Sequence, residues 1–145
     1  MTQTQQYSTF VVDGLLFGVD VIRVQEVIRY QEMTPVPLAP GVVHGLINLR
    51  GQIVTAIDLR KRLGLAERPA DARPMNVVVR SDEGAISLLV DEIGDVVEAN
   101  GDLWEPPPHT LPASVRPLIP GAYKLSNRLL LALDVDRTID VDVAA

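Results

Sequence analysis

The chain contains no cysteine. Disulfides, thiol nucleophiles and thiolate metal sites are excluded at once, and a reducing cytoplasm is the expected setting. Histidine is nearly missing as well. His44 and His109 stand in a pre-strand loop and a proline-rich loop, neither with a carboxylate or second histidine at ligand spacing. Ser81, Ser87, Ser114 and Ser126 sit in no nucleophile-elbow context, and Gly41 to Gly51 holds no phosphate-cradling glycine pattern. With no residues to carry catalysis, the expectation is a protein that is not an enzyme and takes no metal or cofactor.

Other absences narrow the class further. No apolar run approaches the roughly 18 residues of a membrane span, and the opening MTQTQQYST has no apolar signal-peptide core, so a cytoplasmic protein without membrane insertion is expected. The formal net charge is -6 and no basic run exceeds Arg60, Lys61, Arg62, which argues against a nucleic-acid partner. Sustained helical periodicity is missing too. The expected helices are two brief ones, Val21 to Val27 and Leu59 to Leu63, the second capped by Asp58.

What the chain does have is strand signal. YSTFVVDG, LLFGVDV, EVIRY, GLINLRG, QIVTAIDL, MNVVVRSD, GAISLLVD, DVVEAN and RLLLALDV are short, β-branched and bounded by Gly, Asp or Asn, which predicts an all-β barrel or sandwich. Runs such as RLLLALDV are apolar on both faces, as for strands with a packed surface on each side.

The chain also repeats itself. Val19-Asp20-Val21-Ile22 recurs as Val90-Asp91-Glu92-Ile93, and Gly45 to Asp58 aligns without gaps on Gly121 to Asp134. Two similar β modules of about 70 residues follow, approximately 1–70 and 71–145, each marginal alone and expected to gain a third apolar core by packing on the other. The groove between them is the natural place for a partner. The aspartates Asp20, Asp58, Asp91 and Asp134 fall at matched places, which predicts strand-end turns or helix caps at them rather than a carboxylate site. Ala66 to Pro74 reads as a polar connector, and Glu105 to Gly121, with six prolines, as a surface loop.

Two features break the repeat. The tip Leu49-Arg50-Gly51 becomes Leu125-Ser126-Asn127 in the second half, so the scaffold needs a turn there but not an arginine. An arginine on a rigid tip presents a planar donor fork suited to carboxylates or carbonyls of another protein. Likewise Val24-Gln25-Glu26-Val27 has only Gly94-Asp95-Val96-Val97 opposite it. The first half is the specialised one.

In order along the chain, FGVDVIRVQEVI, TPVPLAP, GLINLRGQIVTAIDLRKRLGL and LLVDEIGDVVE resemble the CheW family of chemotaxis receptor-kinase coupling proteins, from about Tyr7 to Asp136. The resemblance implies a fold of two small SH3-like five-stranded β-barrels packed together. It implies a non-catalytic adaptor that binds the regulatory domain of a CheA-type histidine kinase and the cytoplasmic hairpin tip of chemoreceptors, and that is recruited to membrane receptor arrays. It maps the receptor-facing groove onto Val24, Glu26 and Arg50, with Val21 and Met75 beside them, and puts the kinase-facing surfaces at the barrel ends. The ending DVDRTIDVDVAA departs from the helix with which many relatives finish. The alternatives are a paralogous scaffold of a non-flagellar chemosensory system, for surface motility or gene expression, and, further off, a β-barrel that holds an apolar ligand between its halves, which would need a cavity with a polar cluster that the sequence does not offer.

Overall fold

A computed structural model describes residues 4–82 and 84–140. Strands β1 (Thr4–Val12) and β2 (Leu15–Asp20) form a hairpin, and a 3-10 turn at Val21–Arg23 leads into β3 (Val24–Ile28). A second hairpin, β4 (Val43–Leu49) and β5 (Gln52–Asp58), runs into the short helix α1 (Leu59–Arg62). Strands β6 (Met75–Ser81), β7 (Gly84–Val90), β8 (Glu92–Asn100) and β9 (Trp104–Glu105) follow. A last hairpin, β10 (Gly121–Lys124) and β11 (Leu129–Ala132), then runs into α2 (Val135–Ile139). The helix expected over Val21 to Val27 is a single 3-10 turn followed by a strand: β-branched Val24, Val27 and Ile28 pack better on a pleated surface than in a helical turn.

The strands form two sheets, ordered β8-β1-β2-β11-β10-β9 and β3-β6-β7-β5-β4. Each takes strands from both sequence halves. The hairpin β1–β2 lies parallel to β11 from the far end of the chain, and β6–β7 lies parallel to β5 from the first half. The sheets therefore do not follow a division near residue 70: the two repeats have exchanged their leading hairpins.

Both sheets curl. In the six-stranded sheet the rings of Tyr7 on β1 and Tyr123 on β10 lie 5.3 Å apart although two strands separate them in the ladder. In the five-stranded sheet Thr34, beyond the β3 edge, exchanges both backbone hydrogen bonds with Leu46 on the β4 edge. Three apolar cores result. The largest lies between the sheets and holds Phe10, Phe17, Ile57, Val79, Leu88 and Leu131; a second fills the curl of the six-stranded sheet with Leu16, Tyr123 and Leu130. Ile47, Ala56 and Leu89, with Leu49, Val54 and Val78, fill the other curl. Alternate residues of β11 serve different cores, Leu130 one and Leu131 the next, which explains a strand apolar on both faces.

The matched aspartates behave as turn and cap residues. Asp20, Asp58 and Asp134 accept from the N–H groups of Ile22, Arg60 and Arg137 at 3.1 Å each, while Asp91 accepts from Asp13 N–H at 2.7 Å. The proline-rich segment differs from the surface loop expected. Leu111, Val115, Leu118 and Ile119 are buried in the core between the sheets. The prolines prevent strand pairing but leave the apolar side chains free to seal that core. The C-terminal stretch does carry a helix, α2, capped by Asp134.

Candidate functional site

The β4–β5 hairpin closes through two residues, Arg50 (φ +53°) and Gly51 (φ +86°), between the paired Leu49 and Gln52. Positive φ at both positions is a type I′ turn, the form that matches strand twist and favours Asn-Gly. Asn48 steadies it by accepting the Gly51 N–H on its side-chain oxygen at 3.0 Å. Gly51 fits its position; an L-residue with a long side chain does not fit the first one well, where Asn or Gly is preferred. Arg50 is thus held in an unfavourable conformation, and its side chain is 70% exposed.

Glu26 forms an ion pair with Arg50 across the two edges of the curled five-stranded sheet. The pair is possible because β3 is bulged. Val24 opposes Val79, but Glu26 opposes Val78, with Gln25 as the extra residue between. Residues two apart on a regular strand share a face; the bulge sends these two to opposite faces. Val24 joins Val79 against the core between the sheets, while Glu26 joins Val78 at the rim of the inner curl, where the carboxylate is 19% exposed.

Of the five residues singled out from the sequence, the structure brings Glu26 and Arg50 together. Val24 is half-buried on the other face of β3, turned away from that pair. Met75 pairs with Val90 and is half-buried against the central core. Val21 borders a cleft of about 630 Å³ with Gln6 and Tyr123 of the other sheet. The ion pair also lies within one sheet rather than in a groove between two. Both histidines are exposed, and among the described residues no three His, Cys, Asp or Glu side chains could share a metal ion.

Sequence reasoning missed several exposed apolar side chains of this half. Ile22, Val27, Val36, Leu38 and Ile53 are exposed, and all lie on the five-stranded sheet or the segments leading into and out of β3. The signal for Leu38 was present in TPVPLAP, where prolines on both sides remove backbone donors and leave a leucine (φ +66°) with nothing to pack on. A second omission is the pair of arginines Arg23 and Arg80 that clamp the start of β3. Arg80 Nη1 donates to the carbonyls of Ile22 and Val24 at 2.8 and 3.1 Å, and Arg23 Nη2 donates to the Arg80 carbonyl at 2.8 Å.

The chain as a whole is similar to known proteins. The family profile described as CheW-like domain matches residues 6–143. The chain is 30% identical over 131 residues to the chemotaxis protein CheW of Bacillus subtilis, covering 90% of this chain and 84% of that one. It is 26% identical over 136 residues to the CheW of Treponema pallidum, covering 91% and 80%. The crystal structure of the scaffolding protein TtCheW from Thermoanaerobacter tengcongensis superimposes with a TM-score of 0.84 at 26% identity, over 97% of this chain and 95% of that one. No helix among the described residues is long and apolar enough to cross a membrane.

Proposed function

This chain belongs to the CheW-like domain family, and from that premise we propose that it couples the cytoplasmic hairpin tips of chemoreceptors to the regulatory domain of a CheA-type histidine kinase. The family is one of non-catalytic scaffolds in chemotaxis. The receptor-facing site centres on Glu26 and Arg50, at the edge of the five-stranded sheet, where a helical hairpin can lie. Val21, Val24 and Met75 belong to it as the support beneath that edge. The kinase takes the barrel ends.

One observation carries this reading. Arg50 occupies a position where its backbone conformation is unfavourable, where the matched turn of the other half has Ser126, and where its guanidinium is mostly exposed. An outward-facing side chain on an unfavourable backbone conformation supports a binding role for Arg50. Arg50→Asn removes the guanidinium and suits the turn better. The protein should be as stable as wild type or more so, by up to about 1 kcal/mol in denaturant titration, while calorimetric affinity for a receptor hairpin fragment falls and that for the kinase regulatory domain stays. Unchanged receptor affinity would remove this rim from consideration.

A further inference from the structure

The internal repeat extends from the matched aspartates into the two short helices. With Asp58 aligned on Asp134, the second residue of α1, Arg60, aligns on the second residue of α2, Asp136. Each makes an ion pair with the turn that follows the hairpin borrowed from the other half. Arg60 Nη2 reaches Asp91, after β7, at 2.7 Å; Asp136 accepts from Arg23, after β2, at 2.8 and 3.3 Å. Both helices are thus tied to such a turn through their second residue, basic in α1 and acidic in α2, although the partners Asp91 and Arg23 are not matched positions of the repeat. The surroundings of the two ion pairs differ sharply. The Arg60–Asp91 latch is mostly buried, at 13% and 17% exposure, while Arg23 and Asp136 are 33% and 74% exposed.

We propose that Arg23, latched by Asp136, is a positioning residue that sets the register of β3 and thereby holds Glu26 on the rim beside Arg50. This rests on the receptor-site reading above. Arg23 stands one residue before β3. Its guanidinium bridges Asp136 on one side and the Arg80 carbonyl on the other, while Arg80 in turn holds the carbonyls of Ile22 and Val24. These bonds pin the chain immediately ahead of the bulge at Gln25. Loosening them lets β3 shift by one residue, and a shift of one residue turns Glu26 away from the inner face and breaks its pairing with Arg50. The C-terminal helix α2 thus governs a surface to which it contributes no side chain. Because the latch is exposed, it is also the salt-sensitive member of the pair.

The test compares wild type, Asp136→Lys, Asp136→Glu and Arg50→Asn in full-length protein. Three quantities are read: affinity for a receptor hairpin fragment, affinity for the kinase regulatory domain, and amide hydrogen exchange along β3. Asp136→Lys should weaken receptor binding about two- to fivefold, the range of an exposed ion pair, and speed exchange in β3, with kinase affinity unchanged. Asp136→Glu should restore both readings, and the difference between Lys and wild type should shrink at about 1 M salt, where screening acts over about 3 Å. Wild-type exchange and receptor affinity in Asp136→Lys overturn the proposal, and so does equal loss of both partners, which would mean general damage. If Arg50→Asn loses the receptor while Asp136→Lys keeps it, the latch fails and the site stands. If Arg50→Asn binds the receptor like wild type, the site itself fails, and the proposal with it.

Discussion

Two glycines matched by the repeat, Gly45 and Gly121, show what a single residue can be required to do. A Cβ on Gly45 would lie 2.8 Å from the Thr34 carbonyl oxygen, in the strand-like contact that closes the five-stranded sheet. A Cβ on Gly121 would fall inside the Trp104 indole, in the pairing of β9 with β10. In each sheet a neighbouring segment is pressed onto the matched glycine. Gly45→Ala meets backbone and should lower stability by about 1–3 kcal/mol in denaturant titration. Gly121→Ala meets a half-exposed side chain that can swing out, so its cost should be smaller and accompanied by a change in tryptophan emission. Asp91 makes a different prediction. Burial disfavours its charge, yet Arg60, the Asp13 N–H and Arg68 together hold its carboxyl below the ordinary range. A depressed carboxyl stabilises the fold above the unfolded value of about 3.9 and loses that contribution as pH falls through its folded value. Asp91→Asn should therefore lower the melting temperature at neutral pH and flatten its decline in acid.

At the level of elements, the proline-rich segment between β9 and β10 works as part of the core. Leu118→Ala should cost about 2–5 kcal/mol, as much as truncating a leucine on a central strand, measured by denaturant titration against Leu131→Ala. A surface loop would give a change within about 0.5 kcal/mol. This element also marks what could be read from the sequence. Strands with strong β-branched runs were legible, as were the caps at Asp58 and Asp134 and the reason for two-faced β11. The segment 105–121 was misread because proline count reports backbone pairing and says nothing of where Leu111, Val115 and Ile119 go. The bulge at Gln25 had no local signature at all. The partners of Arg23, just ahead of it, are Arg80 and Asp136, which lie 57 and 113 residues away in sequence. Arg68 was hidden in the same way: a residue of an ordinary polar connector proves to be 9% exposed and bonded to Asp58 and Asp91.

The whole molecule is held by the exchange of hairpins between repeats. The repeat announced two alike units, and residues such as Leu130 and Leu131 announced a shared core, but which strand pairs with which is decided by long-range packing that no window of sequence contains. The topology makes a firm prediction. A polypeptide ending near residue 74 retains β1–β5 but lacks β6 and β7 from one sheet and β8 to β11 from the other. It should show no cooperative melting transition, whereas two polypeptides, 1–74 and 75–145, mixed in equal amounts should recover the strand signature of the intact protein by circular dichroism. Cooperative melting of either half alone would contradict the sheet assignment.

The parallel contact of β2 with β11 also bears on how the protein is made. The β1–β2 hairpin leaves the ribosome before β10–β11, so Phe10 and Phe17 wait for part of their core, Leu131 included, until the later strands follow. A nascent chain interrupted midway has no finished half to fall back on. A chain cut short between the two hairpins should therefore be open to proteases, and limited proteolysis of 1–74 beside the intact protein checks it.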